Sequence, residues 1–338
     1  MNAGGLLVRA DAWPQIGSGH VMRCLALAMA ARDRGIDVTW SATRLPEGLT
    51  ARLQAEGITP ALHDAEPGSS DDADATALAA GRHRVVAIVV DGYQFPDSFE
   101  ATVATTPASI LAFDDFQHAS HAAATWILNQ NAHARTVPYG ERPGLLLGLD
   151  FLLLRREFRR AARQAPPLAV RRVLVTLGGS DPREGTRRIW EALASVASHP
   201  LEVTLLYGPL ANPPASIQHP RHTVSIQRDV RDMVPFLQQF DAVICAGGAT
   251  CWELATLGIP CLALAAIDHQ IHVVRSMGEA GAAIACDWSH GDDDALLEPL
   301  RRLLSLDAAA LSRMAEAGAR LVDGRGADRV LDAMGFAP

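Results

Sequence analysis

Phe240-Asp241-Ala242-Val243-Ile244-Cys245-Ala246-Gly247-Gly248-Ala249-Thr250-Cys251-Trp252-Glu253-Leu254 reads as an apolar strand, a paired-glycine turn and a helix that starts at about Thr250. Unpaired N–H groups at such a helix start, with the macrodipole behind them, make an anion site. Glycine suits the turn because a Cβ would hold the backbone away from phosphate oxygens. Gly247, Gly248, Ala249 and Thr250 are therefore candidate phosphate contacts. Glu253, one turn in, either accepts from ribose hydroxyls or reaches back to cap the first amides.

The device recurs upstream as Leu177-Gly178-Gly179-Ser180-Asp181-Pro182. Ser180 or Asp181 can cap the next helix, with Pro182 at its first position. A single turn of this kind is more often a plain strand-to-helix connection than a binding site. Two in one half-chain point to one crevice, because the carboxyl ends of parallel strands share it. Neither turn matches the Gly-x-Gly-x-x-Gly or P-loop pattern, so no hydride cofactor or ATP is implied.

A third turn, Ile16-Gly17-Ser18-Gly19-His20, precedes a helix expected over Val21–Arg34. Gly17, Ser18 and Gly19 let a ligand come close, and His20 arrives at the rim. A lone histidine is usually a surface or core residue. Next to a helix N-terminus, however, the imidazolium is disfavoured and the neutral ring can accept a proton. Asp91-Gly92-Tyr93 ends the strand Val85–Asp91 and is either a ligand contact or a capped turn. Asp114 and Asp115 end another strand. Neighbours there point opposite ways, so capping or a hydrogen bond to the Gly17–His20 turn competes with a metal or acid–base role. Asp268-His269-Gln270 follows the strand Pro260–Ala265 toward the same crevice.

The remaining apolar runs place these turns in a fold. Leu6–Ala10, Val38–Ala42, Val85–Asp91, Ser109–Asp114 and Trp126–Leu128 form one series of strands. Arg172–Leu177, Leu201–Tyr207, Thr223–Ile226, Ala242–Ala246, Pro260–Ala265 and Ala282–Cys286 form a second. Helix-compatible stretches alternate with them, which predicts α/β architecture with parallel sheets covered on both faces. The Gln164-Ala165-Pro166-Pro167 stretch interrupts the rhythm. It divides 338 residues into two Rossmann-like domains, 1–165 and 168–338, facing across a cleft as in a GT-B architecture. Ala308–Met334 is expected to be helical and to belong to the second domain.

Bulk properties bound the function. With 49% hydrophobic but only 5% aromatic residues, the core must be aliphatic, as in buried parallel sheets. A net charge of −8 argues against a surface built for nucleic acid or anionic membrane. The five cysteines lack any Cys-x-x-Cys and are expected as buried free thiols, not a disulfide framework or zinc site. Met1–Ala10 is expected to be a first strand and not a signal peptide, and no apolar run reaches the ~20 residues that span a membrane. The expectation is a cytoplasmic, monomeric chain with no nucleic-acid or membrane partner.

Arg9-Ala10-Asp11, the segment Ile16-Gly17-Ser18-Gly19-His20-Val21-Met22-Arg23-Cys24, Val90-Asp91-Gly92-Tyr93 and Ile127-Leu128-Asn129-Gln130-Asn131 carry a further signal. Together with Leu147-Gly148, Leu154–Phe158, Gly178–Pro182 and Ala246–Glu253, they resemble the UDP-2,4-diacetamido-2,4,6-trideoxy-β-L-altropyranose hydrolases of pseudaminic acid biosynthesis. The resemblance implies a GT-B fold related to the glycosyltransferase that makes lipid II, with UDP held by the second domain. It implies anomeric C–O cleavage with inversion, releasing UDP and the free sugar, without metal or other cofactor. His20 matches the catalytic histidine, Tyr93 a tyrosine beside the sugar, and Glu253 the ribose-binding glutamate. Substrate contacts then extend to Arg9, Asp11, Gly17, Ser18, Gly19, Asp91, Gly178, Gly179, Ser180, His269 and Gln270. His269 stands where asparagine is expected, and Trp13 where small polar residues are usual. Two rivals are a GT-B glycosyltransferase with a hydroxyl acceptor, whose membrane-facing patch could only be Phe151–Arg160, and a non-catalytic nucleotide-sugar binder.

Overall fold

The computed structural model describes residues 4–13, 15–162, 165–179, 181–208, 211, 213–228, 230 and 232–336. Ser180 lies outside them, and so does any statement on its role. The chain forms two compact units, residues 1–159 with 324–338, and residues 160–323.

The first unit is built on a seven-stranded sheet. Its strands are β1 (Gly5–Ala10), β2 (Val38–Ala42), β3 (Pro60–Leu62), β4 (Val85–Asp91), β5 (Ser109–Phe113), β6 (Trp126–Asn129) and β7 (Leu145–Leu147). They lie in the order β3-β2-β1-β4-β5-β6-β7, and every pairing is parallel. β1 is buried at all six positions, which is why its sequence, apart from the ion-paired Arg9, is a run of apolar residues and not an alternation. The strands β3 and β7 are absent from the sequence expectation. Each has three residues and sits at a sheet edge, too short for a burial period to show.

The second unit holds a six-stranded parallel sheet: β8 (Arg172–Thr176), β9 (Glu202–Tyr207), β10 (Thr223–Arg228), β11 (Ala242–Ala246), β12 (Cys261–Ala265) and β13 (Ile284–Asp287). Their order is β10-β9-β8-β11-β12-β13. Both sheets therefore reverse their winding direction once, between β1 and β4 in the first unit and between β8 and β11 in the second. In doubly wound sheets the crevice opens at the carboxyl ends of the two strands that flank this reversal. The turns Gly17–His20 and Asp91–Tyr93 follow β1 and β4; Gly178–Gly179 and Gly247–Gly248 follow β8 and β11.

The division of the chain differs from the expected 168–338 at its end. The segment Ala308–Met334 breaks into helices Ala308–Leu321 and Gly326–Ala333, and the second packs on the first unit. Ala327, Val330, Leu331, Met334 and Phe336 enter that unit's core, beside the helix Gly19–Asp33. Arg34 reinforces the return through Asp332 (2.6 Å), Asp328 (3.1 Å) and the Phe336 carbonyl (2.7 Å). Gly326 admits it: a Cβ there would strike the backbone of Leu152. All five cysteines are free and buried. Among the described residues no helix is long and apolar enough to cross a membrane.

Candidate active site

Three residues of one helix face converge on the end of β4. His20, Arg23 and Cys24 stand at i, i+3 and i+4 of the helix Gly19–Asp33 and so share a side. β1 pairs with β4 in a register that sets Ala10 beside Asp91, so the turn after β1 delivers this helix face onto the Asp91 carboxylate. His20 Nδ1 lies 2.6 Å from Asp91 Oδ1. Arg23 forks onto the same carboxylate, Nε to Oδ2 and Nη2 to Oδ1, both at 2.7 Å. Cys24 Sγ donates to Oδ2 at 3.3 Å.

Asp91 is fully buried. Burial alone would raise its pKa, but the Arg23 and His20 charges outweigh it and hold the carboxyl well below the usual range. It is therefore an ionised acceptor, which puts the proton on His20 Nδ1. No hydrogen bond joins Nε2 to another described residue. The ring is thus oriented by a carboxylate with its second nitrogen left as a proton acceptor. Asp91, expected as a substrate contact, is instead the partner that orients His20; it has no surface to offer a ligand.

Tyr93 stands over this pair. Its ring meets the His20 ring edge-on at 4.9 Å, and its hydroxyl donates to Asp115 Oδ2 at 2.5 Å. Asp115 also accepts from Arg23 Nη1 (2.9 Å) and Asn131 Nδ2 (2.6 Å). Burial and the Asp115 charge push the Tyr93 hydroxyl above its ordinary pKa, so it stays a donor. Burial would lower the Arg23 pKa, but Asp91 and Asp115 raise it. Tyr93 and Phe116 are 44% and 57% exposed with ring centroids 4.8 Å apart, forming an apolar rim. Sequence reasoning raised Asp115 as a possible hydrogen-bond partner of the Gly17–His20 turn but gave no role to Arg23, Asn131 or Phe116. The i, i+3, i+4 spacing of His20, Arg23 and Cys24 was the available signal for the first.

The glycine turn beside His20 is open. Gly17 has φ +72°, a left-handed value that favours glycine, and a Cβ on Gly17 or Gly19 would meet nothing within 4 Å. Ser18 and Gly19 are exposed, and the Ser18 side chain does not cap the helix. Trp13 closes the turn through its carbonyl, which accepts from Gly17 N at 2.9 Å, and its ring carries the Arg44 guanidinium.

Arg9 and Asp11 are corrections to the expected substrate contacts. Both are fully buried. Arg9 binds Asp72 at 2.8 and 2.7 Å and Asp11 at 2.7 Å, while Asp11 Oδ1 takes the amides of Thr43 (2.7 Å) and Arg44 (3.0 Å). They fasten the loop after β2 to the loop after β1 from the inside.

In the second unit, Gly178 (φ +85°) and Gly179 are exposed, with nothing within 4 Å of a Cβ at either. Asp181 caps the following helix at Thr186, through its amide (2.8 Å) and hydroxyl (2.9 Å). That helix begins at Gly185, not at Pro182, because Arg183 and Glu184 take left-handed φ values. At the other turn the two glycines divide their roles. A Cβ on Gly247 would meet Val274 Cγ2 at 2.6 Å and the Gln270 carbonyl at 3.0 Å, so this glycine serves packing. Gly248 has nothing within 4 Å and precedes the helix Ala249–Leu257, which no side chain caps. Ala249 is exposed, Thr250 half-buried and Glu253 buried. The turn Asp268–Gln270 follows β12; Gln270 Oε1 already accepts from Ala266 N at 2.9 Å, and His269 is described only by its backbone.

One group among the described residues has the make-up of a metal site: Asp114, His118 and His121, in the loop between β5 and β6. Asp114 and Asp115 do point opposite ways. Asp114 turns inward, taking the amides of Phe116 (2.9 Å) and Gln117 (2.7 Å), while Asp115 faces Arg23. Burial would lower the His121 pKa, but hydrogen bonds to Asp114 and Glu100 push it up to about 9.

Residues 173–327 match the glycosyltransferase family 28 C-terminal domain. The spore coat polysaccharide biosynthesis protein SpsG of Bacillus subtilis is 31% identical over 192 residues, covering 54% of this chain and 56% of that one. The chain spans about half the length of the relatives it matches in sequence. Solved structures share the fold at low identity. MurG of Acinetobacter baumannii superposes with a TM-score of 0.67 at 17% identity over 99% of this chain and 100% of that one. Anabaena Alr3699/HepE, in complex with UDP and glucose, gives 0.66 at 12% over 99% and 100%. The chain therefore has two parallel-sheet α/β domains of GT-B type.

Proposed function

We propose that the chain is a hydrolase of UDP-linked 2,4-diacetamido-2,4,6-trideoxy sugars, cleaving the anomeric C–O bond. The observation that carries this is the His20–Asp91 pair, an imidazole with a carboxylate on Nδ1 and an unengaged Nε2 beside an open glycine turn. His20 Nε2 takes a proton from water as the water oxygen bonds to C1. The C1–O bond to the β-phosphate breaks with inversion, and UDP leaves with the electron pair. The amides at the start of Ala249–Leu257 and of the turn Gly178–Gly179 stabilise the charge on the diphosphate, typically by ~3 kcal/mol per donor. Glu253 takes the ribose hydroxyls. Tyr93 and Phe116 supply an apolar rim suited to a deoxy carbon and N-acetyl methyl groups.

A glycosyltransferase reading has its own support in the family 28 domain match, with His20 activating an acceptor hydroxyl. The basic run at 155–160 weakens the version that acts at a membrane. Arg156 pairs with Asp33 and Glu56, each at 2.9 Å, Arg159 with Asp33 at 3.1 Å, and Arg155 with Glu157 at 2.7 Å. A panel of UDP-sugars incubated without acceptor in ¹⁸O-water separates the readings. Hydrolysis at carbon gives UDP release with label on the sugar C1 hydroxyl. Label in UDP, or no release until an acceptor is added, overturns the proposal.

A further inference from the structure

We propose that Asp114, His118 and His121 bind one divalent cation of the zinc class, in the loop between β5 and β6, where the His118 ring meets the Tyr93 ring at 5.5 Å. The cation fixes the loop and takes no part at C1. Two imidazoles and one carboxylate suit zinc and its transition-metal neighbours, not magnesium or calcium, which prefer all-oxygen sets.

The spacing fits. His121 Nε2 lies 2.9 Å from Asp114 Oδ2, His118 Nδ1 lies 3.3 Å from Asp114 Oδ1, and the ligand atoms of all three residues fall within 4.8 Å of one another. Metal–ligand bonds of about 2.0–2.2 Å at tetrahedral angles set ligand atoms about 3.3–3.6 Å apart. A cation can therefore enter by side-chain adjustment alone.

Unsatisfied groups point the same way. The His118 side chain is 8% exposed, yet both ring nitrogens are buried without a hydrogen-bond partner, and Nδ1 is aimed at Asp114. Glu100 Oε2, in a residue 1% exposed, is likewise unpartnered. Buried polar groups are rarely left in that state, and a bound ion is a standard reason for it. The surrounding shell is also of the kind that metal-binding histidines use. Glu100 Oε1 accepts from His121 Nδ1 at 2.6 Å, which turns Nε2 toward Asp114, while backbone amides hold the other Asp114 oxygen.

The test is a titration of the full, chelator-treated chain with Co²⁺ followed by absorption, and with Zn²⁺ followed by calorimetry and melting. One equivalent is expected, with the visible bands of four-coordinate Co²⁺ and a Zn²⁺-dependent rise in Tm. His118→Ala and the milder His118→Gln should each weaken binding more than 100-fold and abolish the rise, with circular dichroism checking that they fold. Absence of a one-equivalent site in the unmutated chain overturns the proposal, as does binding that survives both substitutions. Since the readout is metal binding, either result leaves the proposed hydrolysis standing or falling on its own test.

Discussion

Asp91→Asn is the perturbation that bears most directly on the dyad. The carboxylate is fully buried and hydrogen-bonds His20 Nδ1 at 2.6 Å. When Nε2 takes a proton, the resulting imidazolium sits beside a negative charge. Unit charges about 4 Å apart interact by about 4 kcal/mol at an effective dielectric of 20. The Arg23 fork already neutralises part of Asp91, which brings the loss on substitution to about 2–3 kcal/mol, or about 30- to 150-fold in rate. An asparagine can also donate to Nδ1 and move the ring proton to Nε2, where no base remains, so the expected fall in kcat is about 10²- to 10³-fold. KM should change by less than about threefold, because Asp91 presents nothing to the substrate. Two assays check this: UDP release under saturating UDP-sugar, and the ¹⁵N chemical shifts of the His20 ring, which report the tautomer without any substrate. If Asp91→Asn kept a third or more of kcat with its fold intact, the general-base role of His20 would be refuted.

The two glycines at the start of Ala249–Leu257 should separate packing from binding. Gly247→Ala forces a contact with Val274 and Gln270 and should cost about 1–3 kcal/mol in a melt, whereas Gly248→Ala should leave Tm unchanged and weaken UDP at least tenfold by calorimetry. Tyr93→Phe removes a charge-assisted hydrogen bond to Asp115 and should lower kcat/KM by about tenfold, with stability nearly intact because the ring is half-exposed. Deleting residues 324–338 strips Val330, Leu331, Met334 and Phe336 from the first unit's core; hydrogen exchange should rise across Gly19–Asp33, with a loss of about 5 kcal/mol or more. On the acid side, the depressed pKa of Asp91 means its contribution is complete above the unfolded value of about 3.9 and lost as pH falls through the folded one. The unmutated chain should therefore lose stability below about pH 4 more steeply than Asp91→Asn in paired acid titrations.

Much of the fold was legible because its signals are local. A fully buried parallel strand must be apolar at consecutive positions, and a strand feeding a helix needs a turn that permits left-handed or crowded backbone; both leave marks within ten residues. Eleven strands followed from those marks, and the two missed ones, Pro60–Leu62 and Leu145–Leu147, are edge strands of three residues. The terminal helix was misassigned for a different reason. Its amphipathic pattern states only that one face is covered, and its partner lies some three hundred residues earlier, at Arg34. The glycines of Asp323-Gly324-Arg325-Gly326 could have marked the break from Ala308–Leu321, but not which body the last helix would join.

The active-site candidates divide along the same line. Glycine turns announce themselves, since the demand for backbone space is met by residue type. Arg9, Asp11 and Asp91 are carboxylates and a guanidinium at strand ends, and a sequence gives no means of telling whether such a group faces a ligand or another side chain. That is decided by which strands are neighbours. With β1 beside β4 at the point where the winding reverses, the carboxylate closing β4 has to meet the helix that follows β1, and the charged residue on that helix's inner face has to meet it. Strand order is therefore the missing term between the histidine that could be picked out and the aspartate 71 residues away that orients its ring. A chain with the same His20 turn but a different order would present an imidazole with no carboxylate on Nδ1, which is why the dyad, more than the histidine, is the feature on which a catalytic reading rests.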